Sequence, residues 1–80
     1  MVRVVQRGRF RIDVWPGRGQ PHHLPHCHVF WSDGQTVVAL GQMEVLAGPD
    51  LPNEAWELIR EHRSRIRRAW RQLNPKEPPR

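Results

Sequence analysis

The apolar residues of this chain change period along its length, and the period predicts the elements. Over residues 9–15, Phe10, Ile12 and Val14 fall on one side, and Arg9, Arg11 and Asp13 fall on the other. A period of two is that of a half-buried β-strand. Residues 26–31 and 35–40 read as two more strands joined across Ser32-Asp33-Gly34, because Asp-Gly supplies the positive φ angles of a tight hairpin. Gly41-Gln42 is a second turn signal, residues 43–46 make a short fourth strand, and residues 2–5 add at most a short edge strand. Such short connections predict antiparallel neighbours. The loop over residues 16–21 and the break over residues 47–50 are rich in Gly and Pro. From residue 52 the period becomes three and four: Ala55, Ile59, His62, Ile66, Trp70 and Leu73 form one apolar stripe. The pattern predicts a single long helix over residues 52–73, with Pro52 in its first turn and Glu54 and Glu57 near the positive end of its dipole. Asn74-Pro75 ends it.

The expected fold is α+β: a small antiparallel sheet of three to four strands, with one long C-terminal helix packed on one face. Residues 1–74 are expected to form one domain and residues 75–80 a Pro-rich, disordered tail. Eighty residues with 38% hydrophobic content allow only a thin core, to which four Trp and two Phe contribute the most area per residue. A single cysteine excludes an internal disulfide and fits a reducing cytoplasm. Residues 1–7 lack the apolar region of a signal peptide, and no stretch approaches the roughly 20 apolar residues that span a bilayer.

Charge adds an expected partner. The net charge is +5, and 12 of the 13 basic residues are Arg. Arginine forks onto phosphate or carboxylate, so the expected partner is anionic: RNA, DNA or an acidic protein. At 3.6 residues per turn Arg60, Arg63, Arg67 and Arg71 lie within one arc, with Arg68 beside it. Glu61 is placed to pair with Arg65 at i,i+4, and nothing acidic follows it on the helix. The plainer reading of the same face is a solvated surface with cations favoured near a helix C-terminus.

The densest chemistry lies in His22-His23-Leu24-Pro25-His26-Cys27-His28, which holds four of the five histidines and the cysteine. On a regular strand His26 and His28 share a face about 7 Å apart, while Cys27 points to the other and reads as a small buried hydrophobe. Three uses of the histidines stand open. As catalysts, one of His26 and His28 would take a 2′-hydroxyl proton and the other protonate the leaving oxygen, in a metal-independent ribonuclease. As metal ligands, His26 and His28 with His22 or His23 would hold zinc or nickel. As structural groups, they would order the loop and cap the sheet by hydrogen bonding. No metal or other cofactor is required by the motif, and the balance leans away from an enzyme.

His22-x-x-Pro25-His26-x-His28 resembles the His-x-Pro-Pro-His-Phe-His signature of a small bacterial family, domain of unknown function 4160, with Leu24 and Cys27 replacing a Pro and the Phe. The likeness runs on through a hairpin, the Gly48-Pro49-Asp50-Leu51-Pro52 segment and a helix with a late Trp, here Trp70. That resemblance implies a small cognate protein encoded nearby in a toxin–antitoxin-like pair. The order of parts is more loosely similar to mRNA-interferase toxins of the HicA type, whose flanking motifs differ. The expected function is therefore an accessory component of such a module that binds nucleic acid or an acidic partner through Arg60, Arg63, Arg67 and Arg71. An unsatisfied edge strand in so small a sheet also invites a homodimer.

Overall fold

A computed structural model describes residues 2–16 and 24–74. Five strands follow one another: β1 (Val2–Arg7), β2 (Phe10–Val14), β3 (His26–Trp31), β4 (Gly34–Ala39) and β5 (Glu44–Ala47). They form one antiparallel sheet in the order β1-β2-β3-β4-β5. Two helices, α1 (Asn53–Glu61) and α2 (Arg63–Leu73), complete an α+β fold. The expected class holds, but the sheet has five strands instead of three to four, and the single long helix is two.

Both differences have local causes. The β1–β2 register steps from Arg3↔Asp13 to Val5↔Ile12, so Val4 is an extra residue without a cross-strand partner. This β-bulge turns both Val4 and Val5 inward. It erases the alternation by which a full-length β1 would have been recognised.

The helix breaks at His62, whose φ of −109° and ψ of 18° are not helical. Its backbone N–H and its ring Nδ1–H both donate to the Leu58 carbonyl, at 3.2 and 3.1 Å. Ile59 before the break and Ile66 after it are both fully buried. The apolar stripe therefore continues across the break although the helical backbone does not. Asn74 closes α2, its backbone and side-chain N–H groups donating to the Trp70 carbonyl at 2.9 and 3.0 Å.

Phe10, Ile12 and Val14 on β2, with Cys27 and Val29 on β3 and Val38 on β4, join Leu58, Ile59, Ile66 and Trp70 in one core. Residues directly opposite in an antiparallel ladder share a face, so Arg11, Asp13, His28 and Phe30 lie together on the other side of the sheet.

Thr36 ties the segment after β5 to the sheet. Its hydroxyl accepts from Trp31 Nε1 at 3.2 Å and donates to the Pro49 carbonyl at 2.7 Å. Gly48 passes directly over β4 with φ +93°, and a Cβ there would overlap the Gln35 carbonyl oxygen and sit 3.1 Å from the Thr36 Cα. Gly48→Ala is therefore expected to destabilise the domain by about 1–3 kcal/mol from the backbone conformation alone. Urea unfolding should show a lower midpoint at unchanged slope; a midpoint within error of wild type would mean that this segment is not seated on β4.

Candidate functional site

The histidine segment is held at three successive residues. The Leu24 carbonyl accepts from His26 Nδ1–H at 2.7 Å, and the Pro25 carbonyl accepts from the Leu40 N–H at 2.9 Å. Pro25 cannot donate, but its carbonyl still extends the β3–β4 pairing. Because a carbonyl only accepts, the first contact places a hydrogen on His26 Nδ1. The His28 ring stacks on Trp15 with centroids 4.3 Å apart, and the Gln35 amide N–H donates to its Nδ1.

The two imidazoles do emerge together, with centroids 5.2 Å apart and planes at 62°. They do not line an open pocket: His26 is 0% and His28 3% exposed. The His26 ring also packs against Trp70, with centroids 5.1 Å apart. It thereby joins the histidine cluster to α2.

Asp13 completes this region. It lies directly across the β2–β3 ladder from His28 and is fully buried. Arg11 Nε stands 3.3 Å from its carboxylate, and the Arg11 guanidinium covers the Phe30 ring at 4.5 Å. Neither carboxylate oxygen has a hydrogen-bond partner among the described residues. Alternation placed Asp13 on the face away from the helices; its burial had no signal in the sequence. Among the described residues no group of three or more His, Cys, Asp or Glu is placed to hold a metal ion. His22 and His23, two of the candidate ligands, lie outside the described residues. Cys27 faces the core as expected, and burial pushes its thiol up to about 12, so it offers no thiolate near neutral pH.

The arginine surface is reshaped by pairing between distant elements. Glu61 does not serve Arg65. It is taken by Arg7 at the end of β1, through contacts of 2.9 and 3.4 Å. The Arg7 guanidinium, by hydrogen bond and then by charge, holds the Glu61 carboxyl below the usual range. Glu54 is likewise taken by Arg9, at 2.7 Å. The reason is reach: the β1–β2 turn lies beside α1, and its two arginines meet the acidic face of that helix. Arg7, Arg9, Glu54, Glu57 and Glu61 line the cavity between them, of about 260 Å³.

The acidic residues of the two helices all lie on α1, and α2 carries five arginines and no acidic residue. Arg63, Arg67 and Arg71 share one flank of α2, as their spacing predicts. Arg60 sits on α1, before the break. Arg65 and Arg68 occupy the other flank, where with Arg3, Gln72, Val2, Val4 and Ala69 they line a groove of about 160 Å³ between β1 and α2. Sequence reasoning missed Arg3 and assigned Arg65 to Glu61, because both placements depend on where β1 lies.

Residues 10–71 match the family described as a domain of unknown function, DUF4160. The chain belongs to that family. No curated protein and no solved structure matches the chain. The DUF4160 match runs from β2 through α2, so it takes in the histidine segment, Gly48 and Trp70. Two of the features quoted above, the strand histidine and the late helix Trp, are in contact in this DUF4160 protein, as His26 and Trp70. β1, with Arg3 and Arg7, lies outside the matched residues.

Proposed function

We propose that this DUF4160 protein binds nucleic acid through α2 and serves as a non-enzymatic member of a bacterial, cytoplasmic toxin–antitoxin-like pair. One observation carries the binding: the five arginines of α2 have no acidic counterpart on their own helix, and the nearest glutamate in sequence, Glu61, is occupied by Arg7. Bringing so many like charges onto one short helix is unfavourable unless an anion covers them. Arg63, Arg67 and Arg71 supply the contacts that spacing alone suggested, and Arg60 extends them across the break. The small cognate partner is carried over from the family resemblance.

The histidines take a structural role in this reading. His26 and His28 are buried and bonded, so a scissile phosphate would have to displace Leu24, Trp15 or Gln35 to reach them. His26 packs the sheet against Trp70 of α2, and His28 joins it to Trp15 and Gln35.

Fluorescence anisotropy with short duplexes of RNA and DNA, over a salt series, tests the proposal. Contact with four or more phosphates predicts a slope of log affinity against log salt of about −3.6 or steeper. Binding that is absent, or insensitive to salt, removes it.

A further inference from the structure

We infer that the groove between β1 and α2 is a phosphodiester-binding site, in which Arg3, Arg65 and Arg68 fork onto backbone phosphates and Gln72 adds an amide donor. The inference rests on the nucleic-acid reading above and assigns it a place. None of the described lining residues is acidic, and Val2, Val4 and Ala69 give the groove an apolar floor. Such a floor suits the stems of long arginine side chains, leaving their heads at the rim.

The three guanidiniums are also among those that no described ion pair uses. Among the described residues the ion pairs use Arg7, Arg9 and Arg11, each on β1 or β2 or the turn between them. Arg3 contacts only a neutral group in these pairings, the Gln6 amide oxygen at 3.2 Å. Arg65 and Arg68 stand three residues apart on one helix flank, and Arg3 faces them from the strand, so donors converge from both walls.

An acidic peptide is the rival occupant, because β1 is an edge strand that a partner strand could extend. The bulge at Val4 argues against it. It breaks the even ladder that strand addition needs, and Arg3, Gln6 and Arg7 along this edge are all exposed and polar. A phosphate backbone needs no such ladder. A strand laid along the groove would also continue over the exposed face of α2 to Arg63, Arg67 and Arg71.

The test compares two triple variants of the full chain, R3A/R65A/R68A and R63A/R67A/R71A, with wild type. Arg3, Arg65 and Arg68 are exposed, so the groove variant should keep the wild-type circular dichroism melt. Anisotropy is read with duplex RNA, duplex DNA and polyglutamate over a salt series. The groove variant is expected to bind the better duplex about tenfold more weakly or worse, with the salt slope reduced by about 2–3. Whichever duplex binds wild type more tightly names the source of the phosphates. If the groove variant binds as wild type does while R63A/R67A/R71A loses binding, the groove assignment falls and the function stands. If wild type binds neither duplex, the functional reading falls first. Polyglutamate bound as tightly as a duplex, and lost in the groove variant, would overturn the phosphate assignment in favour of a carboxylate partner.

Discussion

Replacing Trp70 with alanine is expected to lower the unfolding free energy by about 3–5 kcal/mol, the usual range for truncating a buried aromatic. For a chain of 80 residues the whole stability is of the order of 4–12 kcal/mol, so much of the population would lose its fold. Trp70 is 1% exposed and is the largest fully buried side chain in the described structure. Its neighbours on α2, Ile66 and Ala69, are buried with it, and on the sheet side it meets the His26 ring. No nearby side chain is free to fill the space, because His26 is itself tied to the Leu24 carbonyl. Trp70→Phe keeps most of the area and should recover more than half of the loss. Urea unfolding followed by far-ultraviolet circular dichroism measures both variants. An alanine variant within about 1 kcal/mol of wild type would remove Trp70 from the core and the histidines from their structural role.

Arg11→Leu is expected to cost about 3 kcal/mol, although Arg11 itself is only half-buried. Its side chain is 35% exposed, whereas Asp13 beside it is fully buried. Removing the cation leaves a buried carboxylate uncompensated, which is the expensive half of breaking an ion pair. The exposure of Arg11 lets water screen part of the effect, which places the expectation at the low end for a buried pair. The leucine still covers Phe30, so lost packing contributes little to the loss. Asp13→Asn in the same chain removes the stranded charge, so R11L/D13N should be more stable than R11L alone. A double-mutant cycle in urea should give a coupling of about 1–3 kcal/mol. Additivity within about 0.5 kcal/mol would show that Arg11 does not compensate Asp13.

These two positions illustrate what was legible beforehand. The hairpin of β3 and β4 could be read because a two-residue turn signal and an alternating pattern are local properties of the backbone. Of Asp33-Gly34 only Gly34, at φ +119°, has the positive angle the pair implied, and it opens β4. The shared side of His26 and His28 was legible for the same reason, since a pleated strand leaves no other arrangement. The apolar stripe named four of the six buried helix residues, Ala55, Ile59, Ile66 and Trp70, but passed over Leu58 and Ala69 and included the half-buried His62 and Leu73. The break at His62 was not legible, because a histidine at that spacing fits an apolar stripe as well as it fits a helix end. The outer part of β1 was hidden by the bulge at Val4.

The chain alone determined the α+β class, the pairing of its central strands, the face of each residue on those strands and the family resemblance. Each follows from contacts between residues close in sequence, or from motifs that survive as strings. Tertiary structure decided which charges are neutralised and which groups meet water. Arg7 reaches Glu61 across 54 residues, and that one pairing leaves Arg65 to the groove beside Arg3. It likewise set Trp70 against His26 and closed Asp13 beneath Arg11. Charge and burial are properties of what lies within a few ångströms, and for these residues that neighbourhood is assembled only when the helices fold back onto the sheet.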